Sequence, residues 1–238
     1  MFGRILAIAT SQARELSRRR VAIIMLILLP LVFYWTSGSD EFAPVFASVG
    51  IGWAFSVATL FLTQGMRQVA PRLSLLGFRS AEVLAGRVLC AFAFGLIVAI
   101  GLWLYIRLDP VITNGTELVW AFLFALIGSV TLGLAVGALI TRELEAMLLL
   151  VGIIGIQFVV DPGTTLAKLL PLFAAERQAA TAVGWGQPLD SLQWTAIVSA
   201  VLFAIAVIAT MLRTPRATTK ASGISESAES RRLPKTVA

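Results

Sequence analysis

Six stretches of this chain run for 15 to 25 residues without Asp, Glu, Lys or Arg, at 21–39, 42–66, 88–106, 118–141, 146–160 and 191–212. A helix of about 20 apolar residues crosses the ~30 Å hydrocarbon core of a bilayer, and a charge at its centre is costly. The expected fold is therefore all-α, a polytopic membrane protein with six transmembrane helices. The fifth stretch is short: 15 residues cover roughly 22 Å at 1.5 Å each. It ends at Asp161-Pro162, where proline removes a helical hydrogen bond. Composition agrees, with 58% hydrophobic and 13% charged residues and a mean hydropathy of +0.89. Too little polar surface exists to cover a water-soluble globule of 238 residues.

Lys and Arg give the orientation, because they concentrate in cytoplasmic flanks. With the N-terminus inside, sixteen of the 19 basic residues fall in inner segments; only Arg107, Lys168 and Arg177 lie outside. Tyr34, Trp35, Trp103, Tyr105, Trp120 and Trp194 gather at the outer ends of the spans, where amphipathic rings settle. Both termini are expected in the cytoplasm. The net charge of +6 thus reports topology and not nucleic-acid binding.

Residues 1–20 read as an amphipathic interfacial helix, not a cleavable signal. Phe2, Ile5, Leu6, Ala9, Ala13 and Leu16 share one side of its wheel, and Arg4, Ser11, Arg14, Glu15 and Arg18 the other. Residues 21–212 form the transmembrane domain, and 213–238, poor in apolar residues, read as a disordered cytoplasmic tail.

Chemistry is hard to place on this chain. Histidine is absent and Cys90 is the sole cysteine, which leaves no donor set for a zinc site and no base for His-dependent catalysis. None of the three lysines (Lys168, Lys220, Lys235) closes a phosphate-binding GxxxxGK[ST] loop, and HExxH and GxSxG are missing. No catalytic residue and no metal ligand is expected, nor any cofactor bound by the chain itself. The spans hold no deep ionisable group of the kind that ion-driven carriers use. Their polar content is uncharged, as at Ser56, Thr59, Thr63, Gln64, Ser129, Thr131, Gln157 and Ser199. Gly133-x-x-x-Gly137, with Gly128 before it, and Ala91-x-x-x-Gly95 are expected to permit close helix packing.

Two loops carry more information. The inner one, 66–89, reads as a short amphipathic piece, a turn at Gly77 and a helix starting at Ser80. Ser is a favoured N-cap, and Glu82 in the first turn suits the helix dipole. The outer one, 161–190, places Leu166, Leu169, Leu170 and Phe173 on one helical stripe. After the short fifth span this suggests a hairpin that dips back into the outer leaflet, where irregular backbone is tolerated only against protein or a cavity.

The layout over residues 1–213 resembles the type-2 export permeases of ATP-binding cassette transporters. The shared features are the N-terminal elbow, six spans with both ends inside and the hairpin between spans five and six. The run Leu75-Leu-Gly-Phe-Arg-Ser-Ala-Glu-Val-Leu-Ala-Gly-Arg87 is similar to the family's run into the third span. The chain departs from the family just after span two, where Arg67-Gln68 replaces a common Glu-Arg pair. The resemblance implies that 66–82 docks on a separate ATPase subunit, with Arg72, Leu76, Gly77, Arg79 and Glu82 as its coupling residues. It also implies two ATPase copies carrying ATP and Mg, and a second permease, identical or homologous. The hairpin at Leu166, Leu169, Leu170 and Phe173 would gate an export path for an amphiphile such as a drug, antibiotic, peptide or lipid. An alternative from another class is a non-transporting sensor or assembly subunit of a membrane complex. A lipid-modifying membrane enzyme would need a nucleophile or a metal site, and neither is in the sequence.

Overall fold

A computed structural model describes residues 2–38, 41–161, 163–185 and 191–213. The tail expected from 214 onward and the proline of the Asp161-Pro162 break lie outside the described residues. Among those described, helices are the only regular secondary structure: α1 (Phe2–Arg18), α2 (Arg20–Thr36), α3 (Ala43–Leu75), α4 (Ser80–Ile106), α5 (Gly115–Leu139), α6 (Glu143–Val159), α7 (Thr165–Lys168), α8 (Phe173–Ala182) and α9 (Ser191–Arg213). Four of them, α3, α4, α5 and α9, are long and apolar enough to cross a membrane. Helices α2 and α6 have 17 residues each, roughly 26 Å of length.

The burial pattern is that of a protein solvated by lipid. Ser48, Ser56, Thr59, Thr63, Gln64 and Ser129 are inside, whereas large apolar side chains of α2, α4, α6 and α9 line the outside. A water-soluble bundle would reverse this arrangement, since large exposed apolar surfaces are rare on soluble monomers. The chain is a membrane-embedded protein.

Helix α5 is the axis of the bundle, packed on α3, α4, α8 and α9. Helices α3 and α5 run parallel, as successive contacts show. Ser56 Oγ donates to Ser129 O at 3.2 Å, Thr63 meets Gly137, and Arg67 reaches Ala138 O at 3.1 Å. Lipid supplies no hydrophobic drive between helices, so the contact depends on close approach. A Cβ on Gly133 would stand 2.3 Å from Ser56 O, and one on Gly137 would stand 2.9 Å from Thr63 Cβ. Gly95 of α4 in turn takes the Leu126 side chain of α5. Helices α4 and α5 are antiparallel, because Trp103 Nε1 donates to Gly115 O at 3.0 Å near one end of the pair.

Two boundaries differ from the sequence reading. The amphipathic piece expected between 66 and 77 is the last turns of α3, which runs unbroken to Leu75. Arg67 and Arg72 do not end the helix: Arg67 turns onto the α5 carbonyls, and the exposed Arg72 side chain can reach outward from the flank. The N-cap of α4 is Arg79, not Ser80, and the Glu82 carboxylate accepts a 2.9 Å hydrogen bond from the Arg79 N–H. Glu82 therefore satisfies one of the donors that every helix start leaves open.

Candidate functional site

The inner turn is built from three elements. Gly77 has φ +79°, a left-handed conformation that lets α3 stop and α4 begin within four residues. Helix α1 lies along the start of α4, and a Cβ on Gly86 would sit 2.7 Å from Ile8 Cγ2. From there Arg4 reaches the turn: Nη1 donates to Gly77 O at 3.0 Å and lies 3.9 Å from Glu82, with the guanidinium 5.7 Å over the Phe78 ring. The face that α1 buries is rotated from the expected apolar side toward Ile8 and Gln12, which leaves Phe2 and Leu6 exposed.

Of the coupling residues, Arg72, Leu76, Gly77 and Arg79 are exposed at the tip. Glu82 is not; it is 3% exposed and turned inward, so it supports the turn instead of forming its surface. Leu75, not singled out in the sequence, is 89% exposed beside Leu76 at 71%. Two bare leucines flanked by Arg72 and Arg79 make an apolar tip with a cationic rim. Nearby, Arg67 donates to Gly137 O and Ala138 O, and Gln64 Nε2 reaches Ile140 O at 3.5 Å. Arg67 thus caps the C-terminal carbonyls of α5, which α5 leaves unpaired.

At the other end, the segment after α6 folds back on the bundle. Thr164 caps α7, its hydroxyl accepting from Ala167 N at 3.3 Å. A turn at 169–172 leads into α8. The four residues expected on one stripe do not share a face: Leu166 and Leu169 are exposed, Leu170 is half-buried and Phe173 is buried. The helix breaks before Pro171, so 3.6-residue spacing does not hold across it. Leu172, missed in the sequence, is fully buried. It fills the space that glycine leaves on α3, since a Cβ on Gly52 would sit 2.3 Å from Leu172 Cδ1. Likewise, a Cβ on Gly128 of α5 would sit 2.2 Å from Pro171 O. Helix α8 then runs antiparallel to α5 toward its start. Gln178 Nε2 donates to the Glu117 carboxylate, and Ala182 O accepts from Thr113 N and Asn114 N at 3.0 Å.

Between this segment, α6 and the start of α3 lies a cavity of about 150 Å³. Leu170, Phe173, Glu176 and Arg177 line it from the hairpin and Gln157 from α6. Phe42 and Trp185 close it with an edge-to-face contact, their centroids 4.5 Å apart. Burial pushes the Glu176 carboxyl up to about 8, with Arg177 beside it limiting the rise. Arg177 sits 5.7 Å over the Phe173 ring, and Lys168 lies 5.6 Å over Trp194. Around the same end, Tyr34 donates to Asp109, and Trp35 Nε1 donates to Tyr105 at 3.1 Å.

Among the described residues no group of His, Cys, Asp and Glu could hold a metal ion. No family model and no curated protein matches the chain.

Proposed function

We propose that the chain is the permease subunit of an ATP-driven exporter, working with a separate ATPase chain. Helices α2 and α6 would cross the membrane together with the four long helices, making six spans with both termini in the cytoplasm. Their 17-residue length suits a span whose ends are anchored by Arg20 and Trp35 in α2, and by Arg142 and the returning hairpin at α6.

The observation that carries this reading is the inner turn. Leu75 and Leu76 are bare, rimmed by Arg72 and Arg79, and held in place by Arg4 and Glu82 from behind. An apolar tip that has been braced this way fits a groove on a partner protein better than headgroups, which need no fixed shape. It lies at the end of the bundle richest in basic residues, where an ATPase would sit. Two ATPases and a second permease would complete the assembly, and ATP and Mg would be bound by the ATPases. The cargo would be an amphiphile, because the interior is uncharged over most of its length.

Depth supports a re-entrant hairpin. Gly128 lies 13 residues from the start of α5, about 20 Å along the axis, and the Pro171-Leu172 turn rests against it. Helix α8 climbs from there back to 113–114. In this reading the segment would act as an outer gate beside the path.

The test is co-purification of the chain with its ATPase before and after Leu75→Asp/Leu76→Asp. The pair should release the ATPase and abolish its stimulation while leaving the helical content and melting temperature unchanged. Undiminished association in the double variant would remove the basis for docking at this turn.

A further inference from the structure

A positive charge is left uncompensated at the inner end of the bundle. Arg87 of α4 is 6% exposed, its Nε is enclosed, and no hydrogen bond or ion pair holds its guanidinium among the described residues. The charged group that acts on it is another cation, Arg67 of α3. The described acids of this end are engaged or turned away: Glu15 pairs with Arg19 at 2.8 Å and Glu145 with Arg142 at 2.9 Å, Glu82 accepts from the Arg79 N–H, and Glu143 is exposed. A guanidinium does not shed its proton, and burying it without a counter-charge is strongly unfavourable. An anion from outside the chain would remove that cost.

Gln12 is a second group of this kind. It is 4% exposed, and neither atom of its amide has a hydrogen-bond partner in the described structure. Helix α1 buries Ile8, Ala9 and Gln12 on one face, and Ile8 rests against Gly86, next to Arg87. One turn on from Ile8, Gln12 belongs to the same seam between α1 and α4. Arg87 lies seven residues into α4 from Ser80, about 10 Å, and Arg67 eight residues before the end of α3 at Leu75, about 12 Å. Because Arg67 also reaches the last carbonyls of α5, the two cations stand level with the end of a span, where headgroups begin. Basic pockets between helices at this level take headgroup phosphates, and the planar fork of a guanidinium matches two phosphate oxygens.

We propose that Arg87 and Gln12 bind a phosphate group in the seam between α1 and α4, with the charge of Arg67 adding to the attraction. An anionic phospholipid of the inner leaflet and a free phosphate share this chemistry. Binding is a property of this chain alone and needs no ATPase, so its failure would leave the exporter reading untouched.

The experiment is native mass spectrometry of the full chain, released from a neutral detergent and titrated with phosphatidylglycerol. The first phosphatidylglycerol should bind roughly tenfold or more tighter than phosphatidylcholine of the same acyl chains, whose phosphate already has its own cation. Arg87→Gln should weaken that first binding roughly tenfold or more, the worth of a hydrogen bond to a charged group, with Arg87→Lys recovering part of the loss. Gln12→Leu, which keeps the cation, should weaken it about fivefold, the worth of a neutral bond. Arg18→Gln removes an exposed cation from the same helix and should change nothing. Phosphatidylglycerol should also raise the melting temperature of the wild type and not that of Arg87→Gln. Inorganic phosphate separates the sources: displacement of the lipid at millimolar phosphate assigns the site to a free phosphate, and its absence assigns it to the lipid. Equal affinity for the two lipids, unchanged affinity in either Arg87→Gln or Gln12→Leu, or an equal loss in Arg18→Gln would overturn the proposal.

Discussion

The contact between α3 and α5 can be tested by adding one methyl group. In Gly133→Ala the new Cβ would stand 2.3 Å from Ser56 O and 2.9 Å from Thr59 Cβ. An unstrained carbon–oxygen contact is about 3.3 Å, so the helices must separate by about 1 Å. The obstacle is backbone, which cannot rotate aside as a side chain would. Overpacking of this kind costs about 1–3 kcal/mol. The Ser56 Oγ to Ser129 O bond crosses the same interface, and interhelical bonds in membranes average about 0.6 kcal/mol. Against this stands a gain of about 1 kcal/mol from replacing a helical glycine by alanine. The net expectation is a loss of about 0.5–2.5 kcal/mol. Gly101 on α4 is the control, because a Cβ there meets nothing within 4 Å. Gly101→Ala should therefore be neutral or stabilise by up to about 1 kcal/mol. Reversible unfolding in mixed micelles, followed by far-UV circular dichroism, measures both. Equal stability of Gly133→Ala and wild type, or equal losses in the two variants, would refute the close-approach reasoning.

Other perturbations probe the two ends of the bundle. Gly77→Val should destabilise by about 1–2 kcal/mol through its φ of +79°, since no neighbour obstructs a side chain there; chemical unfolding measures it, and a neutral result would contradict the strain. Arg4→Ala should speed hydrogen exchange of the amides of residues 78–82 while leaving α5 unchanged, and unaltered exchange would show that the turn stands without Arg4. The Glu176 carboxyl is raised from 4.5 to about 8, so its folded form holds the proton more tightly than the unfolded chain. Its stabilising contribution is complete below pH 4.5 and is lost as pH rises through about 8. Glu176→Gln should flatten that slope in the melting temperature, and an unchanged slope would place its origin elsewhere. Cysteines at Asn114 and Thr164 should react with an impermeant external reagent in intact cells, while one at Leu76 should react only after lysis, Cys90 being buried.

The lengths of charge-free sequence located the helices because lipid permits little else: an unpaired backbone amide in hydrocarbon is costly, and a helix pairs its own. Gly77 was legible for a similar reason, as a residue free to adopt positive φ between two helical runs. The inner end of α3 was not. Apolar sequence stops at Met66, yet the helix continues to Leu75 because leaving the membrane does not itself unwind a helix. The hairpin shows the opposite failure. Leu166, Leu169, Leu170 and Phe173 have helical spacing, but Pro171 interrupts it, and the anchoring side chain is Leu172. Its partners Gly52 and Gly128 lie far away in sequence, and only the packing of α3 on α5 brings them together. In the sequence, Arg4 is one charge on the polar side of α1. Its role at Gly77 and Glu82 depends on how α1 lies on α4, which periodicity does not encode.

The most direct measurement is site-specific photocrosslinking from position 76 in native membranes. Leu76 stands at the tip of the inner turn, 71% exposed, with no covering element in the described structure. The exporter reading predicts an adduct with a protein that is itself labelled by a photoreactive ATP analogue, and loss of that adduct when Leu75 is changed to Asp. Adducts with lipid alone, unaffected by Leu75→Asp, would contradict it.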